Sequence, residues 1–299
     1  MTQTYLAQSA VTDPGAFASW VAELPSDVAS LRRASSNLVF HYWAGGDFAA
    51  HGIPEERATE IDTRYVDDIL DLLHERSSEP LGSPREPSEQ FVGCCRDYTA
   101  LLVSFARAHG IPARTRVGFA GYFAPDWWMD HVVAEVWDAE QSRWRLVEAQ
   151  VSPEHRDAGT GDVLPVLDVP RDRFLTGAAA WRAARKGDLD HEKFVVNPQL
   201  EEPFLRSWPY LAHNLVLDLA ALGSREMILW DEYGMLSGPL PETDLTLLDE
   251  LAAAISDDVD PELVGSWLHI DPLRIPEKVS SYSPRSGPRQ VTLRSGLAT

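Results

Sequence analysis

Cys94 and Cys95 are the only thiols in the chain, and they are adjacent. They open the stretch GCCRDYTALLVSFARAHG, in which Tyr98, Leu101, Leu102 and Phe105 recur at helical spacing. Gly110 stands where a C-terminal cap is expected, and Ile111-Pro112 stops the helix. A thiol in the first turn faces the positive end of the helix dipole and several unpaired backbone N–H groups. Both favour thiolate, the nucleophilic form. Most free cysteines are nonetheless small core residues, so the thiols alone do not define a site.

Two alternating runs downstream supply the partners. DHVVAEVWD and RWRLVEAQ each have the period of a strand, joined by a short hairpin loop from Asp138 to Ser142. Pairing of Trp137 near Arg143 sets His131 across from about position 149, beside Glu148. Cross-strand side chains at such positions are on the order of 5 Å apart. A helix-start cysteine, a strand histidine and an acid on the neighbouring strand form a nucleophile–base–orienter set.

The residues Gly93-x-Cys95-x-Asp97-Tyr98, RAHGIPAR (107–114), Val117-Gly118, His131, Glu135-Val136 and Trp144-x-Leu146-Val147-Glu148 together resemble the transglutaminase-like superfamily of papain-related cysteine enzymes. They resemble in particular a bacterial branch of poorly defined function, over roughly residues 35–235. The resemblance implies Cys95 as nucleophile, His131 as base and Glu148 as third member. It implies no metal and no cofactor. Glu148 stands where the family usually has Asp, and Val132 where a Trp usually follows the histidine. A second reading rests on those departures: a catalytically degenerate fold of this family that serves as a binding module.

The elements that must position these residues read as an α+β chain, a papain/transglutaminase-like core in which a helix with Cys at its N-terminus packs on an antiparallel sheet. Residues 1–34 read as a strand-like lead and two helices, the second capped by Ser26. Residues 35–150 form the core. SNLVFHYW enters it as a strand, with His41 and Trp43 on one face; Trp43 is a packed sheet residue or lines the site. A helix follows at 62–77. Residues 151–277 form a mainly helical region on the core, with RFLTGAAAWRAARKG as one helix ending at Gly187. Residues 278–299, rich in Ser, Pro and Gly and basic in charge, read as a disordered tail. Asp97 reads as a first-turn acid, Glu135 as an ion-pair partner and His109 as structural.

The formal net charge of −20 argues against nucleic acid or an anionic membrane as partner. No apolar run approaches the ~18 residues of a membrane span, the N-terminal segment lacks signal-peptide character, and the cytoplasm is the expected compartment. Nine histidines include no H-E-x-x-H motif or close pair, and a metal on Cys95, His131 and Glu148 lacks an evident fourth ligand. No P-loop or dinucleotide fingerprint is present. The expected activity is acyl transfer or hydrolysis at an amide of a peptide or small molecule: amidase, peptidase or amide synthase.

Overall fold

The computed structural model describes residues 2–238, 244–256 and 259–296. Its helices are α1 (Ala18–Ala22), α2 (Val28–Leu38), α3 (Val66–Arg76), α4 (Cys95–Ala108), α5 (Gly177–Lys186), α6 (Ser207–Leu222), α7 (Leu245–Ala254) and α8 (Pro261–Leu268). Its strands are β1 (Val39–His41), β2 (Phe91–Gly93), β3 (Ala113–Ala120), β4 (Trp128–Asp138), β5 (Arg143–Val147), β6 (Phe174–Thr176), β7 (Phe194–Val195), β8 (Asp231–Glu232), β9 (Lys278–Ser283) and β10 (Gly287–Thr292).

The central sheet runs β5-β4-β3-β6, antiparallel throughout, with β7 parallel to β4. Its long strands carry Val132, Val133 and Val136, β-branched residues that suit a pleated, buried surface. Helix α4 packs on β3 and β4. It buries Leu101, Leu102 and Phe105 completely, each worth about 2 kcal/mol relative to exposure. Strand β6 pairs with β3 only from Gly118 to Ala120. The next N–H along that edge, on Val117, donates to Asp218 of α6 at 3.0 Å, so α6 completes an edge that would otherwise be unpaired. Gly118 is tied to this arrangement: a Cβ there would stand 2.0 Å from the Leu175 carbonyl oxygen.

Strand β1 runs parallel to β2, with His41 opposite Gly93. This pairing delivers the end of β1 to the start of α4. Tyr98 Oη donates to the Val39 carbonyl at 2.8 Å, and Thr99 Oγ1 to the Val132 carbonyl at 3.0 Å. One helix is thus pinned to the strand before it and to the strand that carries His131.

Several expectations need correction. The lead segment is a 3-10 turn, Thr2–Leu6, and not strand-like. Asp27, not Ser26, caps α2 by accepting the Ser30 N–H at 2.9 Å. Helix α2 runs on to Leu38, which leaves only Val39–His41 as strand. Phe174–Thr176 leaves the predicted helix and pairs with β3, because Thr176 is the cap of α5. The predicted disordered tail is a hairpin over 278–292, in which β9 and β10 pair from Lys278–Thr292 to Ser283–Gly287. Composition missed it because its stabilisation is remote. Arg294 binds Asp67 and Asp68 at 2.7 and 2.6 Å, and Tyr282 N–H reaches the Trp230 carbonyl at 2.8 Å. Residues 297–299 lie outside the described residues. Among the described residues no helix is long and apolar enough to cross a membrane.

Candidate active site

Cys95 is the first residue of α4, and Cys94, in extended conformation, is its cap. The Cys94 N–H donates to Asp97 Oδ2 at 2.9 Å, so the first-turn acid secures the turn on which the thiols sit. Arg96 turns away and donates to the Arg64 and Glu226 carbonyls at 2.6 and 2.8 Å. The N–H of Cys95, at the first helical position, has no acceptor within the helix.

His131 lies opposite Gly118 on β4. Trp137 pairs with Trp144, one residue from the expected register, and the ladder ends at Ala134–Val147. Glu148 then leaves the strand; its N–H donates to the Val166 carbonyl at 2.8 Å. Its carboxylate Oε2 accepts from His131 Nε2 at 2.7 Å and from the Tyr122 hydroxyl, while Oε1 accepts from the Gln150 N–H at 2.7 Å. The other imidazole nitrogen, Nδ1, is left free of Glu148, and the Cys95 sulfur lies near enough to the ring to shift its pKa. The structure therefore brings together all three residues singled out in the sequence.

The charges in this set are coupled. The neighbouring Cys94 thiol, with the His131 imidazolium, outweighs burial and holds Cys95 well below the usual thiol range. The neighbouring Cys95 sulfur, with burial and the Asp97 charge, pushes Cys94 up. Burial disfavours a charged His131, but the Glu148 carboxylate and the Cys95 sulfur outweigh it and raise the imidazole to about 10. Burial would raise Glu148 too; the imidazolium and the hydrogen bonds from His131, Tyr122 and Gln150 bring it instead to about 2. These shifts favour a thiolate–imidazolium pair beside a carboxylate.

The set opens into a cleft of about 490 Å³, within the size range of small-molecule sites. Sequence reasoning missed three of its polar members. His41 lines the cleft, and its Nδ1 accepts the N–H groups of Trp43 and Ala44 at 3.2 and 3.0 Å. Nδ1 must then be unprotonated and Nε2 must carry the proton. Burial and the charge of His131 keep this imidazole neutral, with a pKa of about 4, although the Cys95 sulfur opposes them. Asp130 also lines the cleft; it accepts from Tyr210 Oη at 3.0 Å and Asn214 Nδ2 at 2.8 Å. Burial and the nearby Cys95 sulfur raise it to about 7. Tyr122, the third donor to Glu148, stands just past the end of β3 and was not singled out in the sequence. Trp43 lines the cleft and is not a packed sheet residue.

Glu135 is elsewhere. It accepts from Arg114 at 2.6 Å, Arg116 at 3.2 Å and Arg171 at 2.6 Å, an ion-pair partner as its place on the strand suggested. His109 bonds the Phe105 and Leu24 carbonyls at 2.8 and 2.9 Å. Among the described residues no cluster of three or more His, Cys, Asp or Glu has metal-holding geometry.

The sequence model of the transglutaminase-like superfamily matches residues 50–149. One solved structure similar to this chain, "Putative Cysteine Protease from Cytophaga hutchinsonii", is 16% identical with a TM-score of 0.33; the match covers 58% of this chain and 45% of that one. The chain thus spans less than half the length of that protein. No curated protein matches the chain. The helix-borne thiol, the strand-borne imidazole and the carboxylate all fall in residues 50–149, the segment that matches the transglutaminase-like superfamily.

Proposed function

We propose that the protein is a cysteine-dependent acyl-transfer enzyme acting on an amide or related acyl donor. The observation that carries this reading is the placement of His131 between Glu148 and Cys95 at the floor of an open cleft. The Cys95 thiolate attacks the acyl carbonyl, forming a C–S bond and an oxyanion. The N–H of Cys95 and the Nε2–H of His41 are the donors on hand for that oxyanion. As the C–N bond breaks, His131 gives its Nδ1 proton to the leaving amine. Water or a second amine then attacks the thioester, His131 takes the proton, and the acyl group departs with the acceptor. Glu148 holds the imidazole by its Nε2–H and offsets its charge throughout. The two free thiols fit a reducing compartment such as the cytoplasm.

The test is labelling of the intact protein with an acyl electrophile, then mapping of the modified residue by mass. A thioester at Cys95 that hydroxylamine releases supports the proposal. Acylation confined to Cys94, or none in a protein whose Cys95 reacts with iodoacetamide, overturns it and favours the binding-module reading.

A further inference from the structure

Six large apolar side chains are exposed among the described residues, and four of them rim the one cleft: Phe204 at 63%, Trp43 at 53%, Tyr282 at 50% and Leu200 at 36%. Scattered exposed apolar residues are ordinary, but a cluster of them round one opening marks a binding surface. These four come from separate parts of the chain. Trp43 follows β1, Leu200 and Phe204 precede α6, and Tyr282 belongs to β9. The wall bearing Tyr282 is held by its N–H bond to the Trp230 carbonyl, and Trp230 itself lines the cleft.

The charge of the cleft is equally one-sided. No Lys or Arg is among its described lining residues, and its carboxyls are Asp130 and Glu232. His213 is a neutral wall residue: its Nε2 bonds the Leu229 carbonyl at 2.8 Å, and burial lowers its pKa. His41 is neutral by the argument above. The one imidazolium, His131, is already matched by Glu148 and the Cys95 thiolate. Nothing in the described lining offsets an incoming anion, which would meet carboxylate and thiolate in a partly desolvated space where like charges repel strongly.

Resting on the acyl-transfer reading, we infer that the acyl donor is an amide or ester of a bulky aromatic or branched aliphatic acid that carries no negative charge. Phosphorylated donors, carboxylate-tailed donors and acidic peptides are disfavoured. The apolar body sits against the Trp43, Phe204 and Tyr282 rim, with its carbonyl directed to Cys95.

Two matched probes test this on the full chain: the 4-nitrophenyl ester of 4-phenylbutyric acid, and the same ester with a carboxylate at the para position of the phenyl ring. They differ in charge and little in size. The neutral ester is expected to acylate Cys95 about 100-fold faster at subsaturating concentration, the scale of a buried like-charge contact. Glu232→Lys is expected to narrow that ratio about tenfold, since it converts repulsion at the wall to attraction. Equal rates for the two esters overturn the inference, as does a ratio that Glu232→Lys leaves unchanged. Failure of both esters to acylate a Cys95 that iodoacetamide still alkylates overturns the acyl-transfer reading itself, a result distinct from equal rates.

Discussion

Two of the buried clusters of charge differ in how completely each is satisfied. In the first, Glu135 takes three arginines and Asp218 takes Arg116 through two bonds, at 2.9 and 2.8 Å. The arginines outweigh burial and hold Glu135 far below the usual carboxylate range. Every charge there faces an opposite charge, and none borders the cleft. In the second, Cys95 and His131 are equally buried yet face open space on one side. The imidazole is secured at Nε2 by an acid and has the Cys95 sulfur beside it. Burial of charge by itself therefore marks no site in this protein. The site is marked by a charged pair that has a proton to exchange and a space in which to exchange it.

Replacing the acid in each cluster separates them. Glu148→Gln should lower acyl transfer by about 10³–10⁴, as loss of the orienting acid does in other triads. Labelling of Cys95 followed against pH should show a higher thiol pKa, because the imidazolium loses its carboxylate. Glu135→Gln should do the reverse. The urea midpoint should fall by the equivalent of about 3–5 kcal/mol, the cost of leaving buried charges without their partner, while Cys95 keeps its pH profile in the folded fraction. If both variants lose activity and stability alike, the distinction between the clusters fails.

A middle-sized effect concerns His41. His41→Ala should reduce acyl transfer by about 10²–10³, the range for one oxyanion donor, and should leave alkylation by iodoacetamide within about threefold, because alkylation builds no oxyanion. Equal losses in both assays would mean that His41 acts only through the structure around Cys95.

The pH profile sharpens the account of the pair. His131 is raised to about 10, above the unfolded histidine value. Its ionic contribution is therefore complete below the unfolded value of about 6.5 and is lost as pH rises through about 10. Acyl transfer should fall across that upper range as the acid for the leaving amine disappears. Alkylation should persist there, since thiolate remains. An alkylation rate that rises through the same range would mean that the thiol is protonated in the resting site.

The smallest effect is expected at Cys94. Its thiol is the largest influence that holds the Cys95 thiol low. Cys94→Ala should raise the Cys95 pKa, lower acylation at pH 6 by about tenfold, and change it little at pH 9. An unchanged rate at pH 6 would remove Cys94 from the set.

Where local order coincided with a chemical need, the sequence was readable. The amphipathic period of 95–108, the hairpin of β4 and β5, and the type and spacing of Cys95, His131 and Glu148 pointed to the helix, the strand pair and three residues that the fold brings together, because each depends on neighbours within a few turns or one tight loop. The one-residue error in register did not matter, since Glu148 leaves the ladder and reaches His131 from the strand end. Chemistry contributed by distant segments was not readable. His41 is 54 positions before Cys95 in the numbering, and only the parallel pairing of β1 with β2 sets it by the thiol. Asp130 adjoins His131 in the chain, but its raised pKa comes from burial in the folded protein and from the Cys95 sulfur, against the hydrogen bonds from Asn214 and Tyr210 of α6.

The tail shows the same division. Its composition is that of a segment unable to bury its own apolar surface, and by itself that remains true. It forms a hairpin because Asp67 and Asp68 on α3 and the Trp230 carbonyl meet it. The chain's own pattern determined which residues stand ready for chemistry, for helical and strand periods act over a few residues. Tertiary structure alone decided the protonation of His41, the wall that Tyr282 adds to the cleft and the charge an acyl donor meets there. Those depend on electrostatics and contacts between segments that the chain brings together only when it folds.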